Sequence, residues 1–314
     1  MKLKITTNNE QHFYGHGKLM ITGEYFVLDG ASALAVPTKL GQHLRVTELS
    51  SSERILYWVA LNSQGEIWLQ LTFETENFTC LSTTSPEADA LTSIFLTARM
   101  LNPTFLMFPK DVAVETKLEF PNDWGLGSSS TLIYTIAQWA KIDALELLKN
   151  TLGGSGYDVA CAGSHSPIIY RLQSGTPEVL KTSWKPNYSH QLYFAHLGKK
   201  QSSPEGIKYY RQQLTDKTHQ INAINRINQE LLNCERLEDF EALINEHETL
   251  VGASLKMIKV SDTLFADYWG SVKSLGAWGG DFVLLTNSRT KEELMGYLKT
   301  KNINTVFNWE ELIL

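Results

Sequence analysis

Four short segments carry residue types and spacings suited to binding a phosphate-bearing molecule. The first is Pro121-Asn122-Asp123-Trp124-Gly125-Leu126-Gly127-Ser128-Ser129-Ser130. Its two glycines let backbone approach a bulky anion, and its three hydroxyls open an apolar helical stretch, residues 131–140. Unsatisfied N–H groups and the helix dipole at such a start favour phosphate. No G-K-[ST] closes the loop and a third fingerprint glycine is missing, so it is neither a Walker loop nor a dinucleotide fingerprint. On composition alone, a strand-to-helix turn with serine caps remains an equal alternative.

The second segment is Gly153-Gly154-Ser155-Gly156-Tyr157-Asp158-Val159-Ala160. An acid after a glycine loop, before an apolar stretch, can be partly desolvated and aimed as a general base. The alternative is that Asp158 simply caps the next helix. The third is Lys273-Ser274-Leu275-Gly276-Ala277-Trp278-Gly279-Gly280-Asp281. Gly276 suits a helix C-cap, and the remaining glycines suit either an anion-facing loop or a tight turn. The fourth is Gly15-His16-Gly17-Lys18-Leu19-Met20-Ile21-Thr22-Gly23-Glu24-Tyr25. Lys18 has the charge to offset a transferring phosphoryl group, or it is an ordinary surface lysine.

The elements that must position these residues change along the chain. The first third is β-rich: residues 20–28, 44–49, 55–60, 67–73 and 112–120 read as strands, with a hairpin signal at Asn62-Ser63-Gln64-Gly65. Residues 86–101 read as a helix with Ala90, Leu91, Ile94, Phe95 and Ala98 on one face. A short helix is expected over 144–152, and strands over 168–172, 191–197 and 282–286. Helices are expected from Ser203, with Pro204 at its first position, to about 233 with a break, and over 237–251, 262–275 and 291–299. Residues 174–189, with Gly175, Pro177 and Pro186, form the candidate domain junction. Irregularly alternating strands and helices give an α+β class.

Composition narrows the function. At 314 residues the chain can bury a large core without staples. Lys plus Arg is 28 and Asp plus Glu is 34, a formal charge of −6, which argues against a nucleic-acid partner. Cys80, Cys161 and Cys234 are far apart and form no C-x-x-C pair, which points to a reducing compartment and away from a zinc site. No run approaches the roughly 18 apolar residues that a membrane span needs. A cytoplasmic protein without a membrane partner is the expectation.

In order and spacing the four segments together resemble the GHMP kinases, the small-molecule kinases of galactose, homoserine, mevalonate and phosphomevalonate. Gly17-Lys18 through Gly23-Glu24 matches the opening G-K-x-x-x-x-G-E strand, and Pro121 to Ser130 matches P-x-x-x-G-L-G-S-S-[AS]. Ser155-Gly156-Tyr157-Asp158 matches the acid-bearing segment, in wording similar to a bacterial subgroup, and Gly276 to Gly280 matches the late glycine loop. Glu24-Tyr25, the final Gly-Gly-Asp and Gly198-Lys199-Lys200-Gln201-Ser202-Ser203 are similar to phosphomevalonate kinases. For that last stretch, a polar helix cap before Pro204 is the alternative. Two positions depart from the family: Trp278 replaces a loop glycine, and Leu147 stands where mevalonate kinases carry a second acid, with Glu146 beside it.

The resemblance implies a two-domain α+β fold. Residues 1–185 would form the ATP-binding α+β domain, residues 186–314 a ferredoxin-like C-terminal domain, and the nucleotide would lie between them. It implies ATP and Mg²⁺ as cofactors and a small hydroxylated or phosphorylated acid as partner, in a monomer or homodimer. Pro121, Gly125, Leu126, Gly127, Ser128, Ser129 and Ser130 would bind the nucleotide, and Ser129, with Glu146, the metal. Asp158 would orient or accept the proton of the attacking hydroxyl, and Lys18, near it, would offset charge. Glu24, Lys199, Ser202, Ser203, Gly276, Ala277 and Gly279 would contact substrate. A sugar or homoserine kinase, a diphosphomevalonate decarboxylase and a non-catalytic binding protein are the alternatives on the same scaffold.

Overall fold

A computed structural model describes residues 9–199, 203–213, 216–278 and 280–314. Ser202 and Gly279, expected at the substrate, lie outside the described residues. The chain forms two compact units: Met1–Gly17, Leu40–Asn122 and Gly127–Gly163 make the first, and Lys18–Lys39, Asp123–Leu126 and Ser164–Leu314 the second. Strands β1 (Glu10–Thr22) and β2 (Ala33–Glu48), which pair, are each divided between the units.

In the first unit, β3 (Ile55–Leu61) and β4 (Ile67–Glu74) form the expected hairpin. The Asn62 side chain closes it, accepting from the amides of Gln64 at 3.0 Å and Glu66 at 2.9 Å. Helix α1 (Pro86–Leu101) starts at Ser85, whose hydroxyl accepts from the Ala88 amide, with proline in the first turn. It buries Leu91, Ile94, Phe95 and Ala98 as its spacing predicts, with Ala88 in place of the half-buried Ala90. Phe95 is the hub: Trp58, Phe73 and Phe78 lie 5.6, 5.5 and 5.4 Å from its ring centre. Strand β5 (Val112–Leu118) runs parallel to β3 and antiparallel to β2. Helices α2 (Ser128–Ala140), α3 (Ala144–Lys149) and α4 (Tyr157–Ala162) pack together. Gly163 makes this approach possible, because a Cβ there would lie 2.5 Å from the Tyr134 ring.

In the second unit, β6 (Ile168–Gln173) pairs with the start of β2 and with β7 (Thr176–Lys181). Strand β8 (Leu192–His196) is followed by α5 (Ser203–Gln213), α6 (Thr218–Leu232) and α7 (Leu237–Leu255). Then come β9 (Val272–Ser274), β10 (Phe282–Thr286), α8 (Lys291–Thr300), β11 (Val306–Asn308) and α9 (Trp309–Leu312). The antiparallel sheet has the order β11-β8-β10-β9, the ferredoxin-like arrangement the resemblance implies.

Several elements differ from the sequence reading. The first strand begins earlier and stops at Thr22, because Gly23 turns the chain at φ 101° into a 3₁₀ turn over Phe26–Asp29. Residues 174–189 hold β7 rather than only a junction, since Ser174 (φ 52°) and Gly175 (φ 80°) make the left-handed pair of a tight hairpin. Residues 262–275 are not a helix. A Cβ on Gly270 would lie 2.2 Å from the Thr286 carbonyl, and Ser271 and Thr286 exchange hydrogen bonds, which draws this backbone into β9. Gly276 therefore caps no helix; it turns the chain after β9 at φ 69°.

Candidate active site

The glycine–serine loop ends in α2, whose N-cap is Gly127, in the left-handed region at φ 92°. A glycine cap has no side chain to accept from the first turn, so the Ser128 and Ser129 end of the helix presents free N–H donors. Ser130 is turned inward, its hydroxyl donating to the Gly127 carbonyl at 2.8 Å. Ser128 donates to Asn122 Oδ1 at 2.8 Å and ties the loop's entry to its exit, while Ser129 is exposed. Pro121 precedes this tie and is half-buried.

Ser128 and Ser129 are among the residues lining a cavity of about 270 Å³ in the first unit. Trp58, Trp68, Leu91 and Ile94 form apolar walls, and Gln42 and Thr116 add polar groups. Such a mix of flat apolar wall and few polar points suits a planar heterocycle. Trp58 is buried, whereas Trp68 is 48% exposed.

Asp158 stands in the same unit, half-buried at the second position of α4. The N-cap is Gly156, at φ 88°, so Asp158 does not cap this helix. Its Oδ1 accepts the adjacent Val159 amide at 3.0 Å. Glu146 faces outward on α3, 54% exposed and 3.8 Å from Lys149, whereas Leu147 is fully buried in the core. Among the described residues no three His, Cys, Asp or Glu side chains converge to hold a metal.

The second unit holds Lys18 and the first half of the loop. Lys18 is 8% exposed, and its ammonium donates to the Gly125 carbonyl at 3.0 Å. Its amide donates to the Leu126 carbonyl at 3.0 Å, so the end of β1 carries the loop. Gly125 has φ 68°, and a Cβ there would lie 2.4 Å from the Asp281 carboxylate; only glycine fits. Trp124 fastens the same loop by packing on His196, Phe282 and Phe307. Lys199 is exposed, and its carbonyl accepts the Asp281 amide at 2.7 Å. Ser203 begins α5.

Glu24 is 1% exposed and does not reach solvent. It belongs to a buried network that the sequence reading missed. Its Oε1 accepts from Lys273 Nζ at 2.6 Å, and Lys273 also lies 3.5 Å from Glu248 and donates to the Ser274 carbonyl at 2.8 Å. Glu24 Oε2 is 3.4 Å from His247 Nε2, which accepts the Gly23 amide at 3.0 Å. His247 is thus neutral, with its proton on Nδ1. Burial pushes the Glu24 carboxyl up to about 7 despite the pull of Lys273. Burial, aided by Lys273, holds His247 well below its ordinary value. A signal existed: residues 247 and 248 fall on the apolar face set by Phe240, Leu243, Ile244 and Val251, where a charged residue needs a partner.

No family model matches the sequence, and no curated protein matches it. Solved structures do match over nearly the whole chain. The mevalonate kinase of Methanococcus jannaschii is 16% identical, covers 96% of this chain and 98% of its own, and superposes with a TM-score of 0.69. The Streptococcus pneumoniae phosphomevalonate kinase, solved with phosphomevalonate and AMPPNP, is 14% identical over 95% and 99%, with a TM-score of 0.70. A Lactococcus lactis galactokinase complexed with galactose is 11% identical over 94% and 89%, at 0.64. The fold is that of the GHMP kinases. Within the GHMP-kinase fold, Trp278 turns its ring inward, 1% exposed, and its indole donates to Glu248 at 2.9 Å. The bulky residue in the glycine loop is thereby taken out of the loop's face. Gly276 and Ala277 remain at that loop, with the Ala277 carbonyl accepting from Tyr25 at 2.7 Å.

Proposed function

We propose that this chain is an ATP-dependent small-molecule kinase whose acceptor is mevalonate, phosphomevalonate or a closely similar small acid. The observation that carries this reading is the glycine-capped start of α2, which opens with Ser128 and Ser129 onto the aromatic-walled cavity of about 270 Å³. Donors for phosphate together with apolar aromatic walls for a base describe a nucleotide site. The phosphomevalonate kinase of the same fold binds AMPPNP, which supports ATP as the nucleotide.

Phosphoryl transfer needs positioning and charge neutralisation more than covalent help from the protein. Gly127, Ser128 and Ser129 offer amides to the phosphates, while Gly125 and Leu126 shape the approach. Lys18, its ammonium fixed on the Gly125 carbonyl, offsets charge on the transferring group. Asp158 orients the acceptor hydroxyl and takes its proton. Mg²⁺ commonly keeps waters and substrate phosphates as ligands, so an exposed serine hydroxyl such as Ser129 fits it without an acidic cluster. The ion would supply charge neutralisation at the phosphates. Glu146, paired with Lys149, is the second candidate for that role. Gly276, Ala277 and Lys199 are the described candidates for acceptor contacts. Residues 1–185 and 186–314 remain our proposed division into inherited domains.

Among the described residues no helix is long and apolar enough to cross a membrane. Cys80, Cys161 and Cys234 form no disulfide with one another, and a reducing compartment, the cytoplasm, is the setting we propose. The test is ADP release with Mg·ATP against mevalonate, phosphomevalonate, diphosphomevalonate, homoserine and galactose. Turnover with one of the first two is expected. No ADP with any acceptor overturns the reading, and carbon dioxide released with phosphate from diphosphomevalonate redirects it to a decarboxylase.

A further inference from the structure

Two bulky or charged residues of the late glycine loop hold left-handed backbone: Trp278 at φ 57° and Asp281 at φ 53°. A large side chain there is strained, and such strain persists only where the surroundings impose it. The surroundings of Trp278 are explicit. Its ring packs with Tyr25, Tyr210, Val251 and Leu255, and lies so close to α7 that a Cβ on Gly252 would be 2.9 Å from it. Its N–H donates to Glu248 Oε1, and Glu248 is held by Lys273, which holds Glu24. Glu24, Glu248 and Lys273 are each no more than 1% exposed. Buried ions are a poor source of stability and are better explained by what they hold in place.

What they hold leads to Lys18. Beyond Trp278 the chain reaches Asp281, whose amide is fixed by the Lys199 carbonyl and whose carbonyl is fixed by the Leu197 amide. The Asp281 carboxylate then fills the space beside Gly125 where a side chain would stand. The carbonyl of Gly125 is the one that Lys18 Nζ grips at 3.0 Å. We propose that Trp278, anchored by Glu248, is a positioning residue that sets Asp281 against Gly125 and so fixes Lys18. Its effect on turnover rests on the kinase reading; its effect on the loop does not.

The test uses Trp278→Phe, which keeps the ring and removes the donor, Glu248→Leu, which removes the acceptor, and Glu248→Gln, which keeps it. Amide exchange over residues 275–282 is measured beside turnover. Trp278→Phe and Glu248→Leu should each speed exchange in that segment and lower kcat by about tenfold, the scale of one buried hydrogen bond, with KM for ATP unchanged. Exchange at Val283–Leu285 should stay at its wild-type rate, and Glu248→Gln should behave as wild type in both assays. Unchanged loop exchange in the first two variants overturns the proposal. So does equal acceleration in the strand, which would make Trp278 a core residue only. If wild-type protein releases no ADP with any acceptor, the kinase reading falls and the exchange measurement still decides the anchor.

Discussion

The pair formed by Glu24 and His247 makes a prediction whose sign can be worked out group by group. Glu24 titrates near 7 in the folded protein, against 4.5 for an ordinary glutamate. Between those values the folded state holds a proton that the unfolded chain has released, so this group's contribution to stability falls as pH rises. From pH 5 to 6 the loss is about 1 kcal/mol. His247 acts in the opposite sense. It stays neutral when folded, well below its ordinary 6.5, while the unfolded chain protonates it. Its contribution is therefore lost as pH falls below about 6.5 and is regained as pH rises. The two slopes oppose each other in the wild-type protein. Glu24→Gln removes one and exposes the other: its unfolding free energy, from urea titrations, should rise by about 1 kcal/mol from pH 5 to 6 relative to wild type. His247→Gln, which keeps an acceptor for the Gly23 amide, should instead fall with rising pH relative to wild type. If Glu24→Gln and wild type run parallel across this range, the buried proton on Glu24 does not exist and the reasoning fails.

Three further outcomes are expected. Asp158→Asn keeps shape and removes charge, so kcat should drop by about 10²–10⁴ with ATP affinity unchanged; near-normal turnover would assign the proton to another group. Gly125→Ala places a methyl group 2.4 Å from the Asp281 carboxylate at a φ of 68°, so turnover should be lost, and Asp281→Gly in the same chain should restore part of it. Trp68→Ala removes one wall of the cavity and should weaken ATP binding, read by calorimetry, with the melting temperature nearly unchanged because Trp68 is 48% exposed.

Much of this architecture is visible in residue order because local chemistry and tertiary structure agree. Ser85-Pro86 starts α1, Asn62 closes the β3–β4 hairpin, and the loop before Ser128 runs into α2, each for a reason contained within a few residues. Residues 262–275 failed because the decisive partner, Thr286, lies far along the chain, and its carbonyl leaves room only for Gly270. The candidate site divides in the same way. Gly125, Gly127, Ser128 and Asp158 announce themselves by type and spacing. Lys273, Glu248 and Asp281 do not, because their meaning lies in partners distant in sequence: Glu24 for the lysine, Trp278 for the glutamate, Gly125 for the aspartate. Trp278 read as a defect in a glycine loop, since a sequence does not show that its ring turns away from the loop and into the core.

The interleaving of the two units bears on how the chain is made. The first unit needs nothing beyond Gly163. The second contains Lys18–Lys39, and the end of that segment pairs with residues made far later: Thr38 bridges to Ile313, and the Pro37 carbonyl accepts the Leu314 amide. During synthesis Pro37 and Thr38 therefore stay without these partners until Ile313 and Leu314 have emerged. Slow codons or chaperone binding would matter most in that interval. A tag fused after Leu314 would act on the strand made at the beginning of the chain.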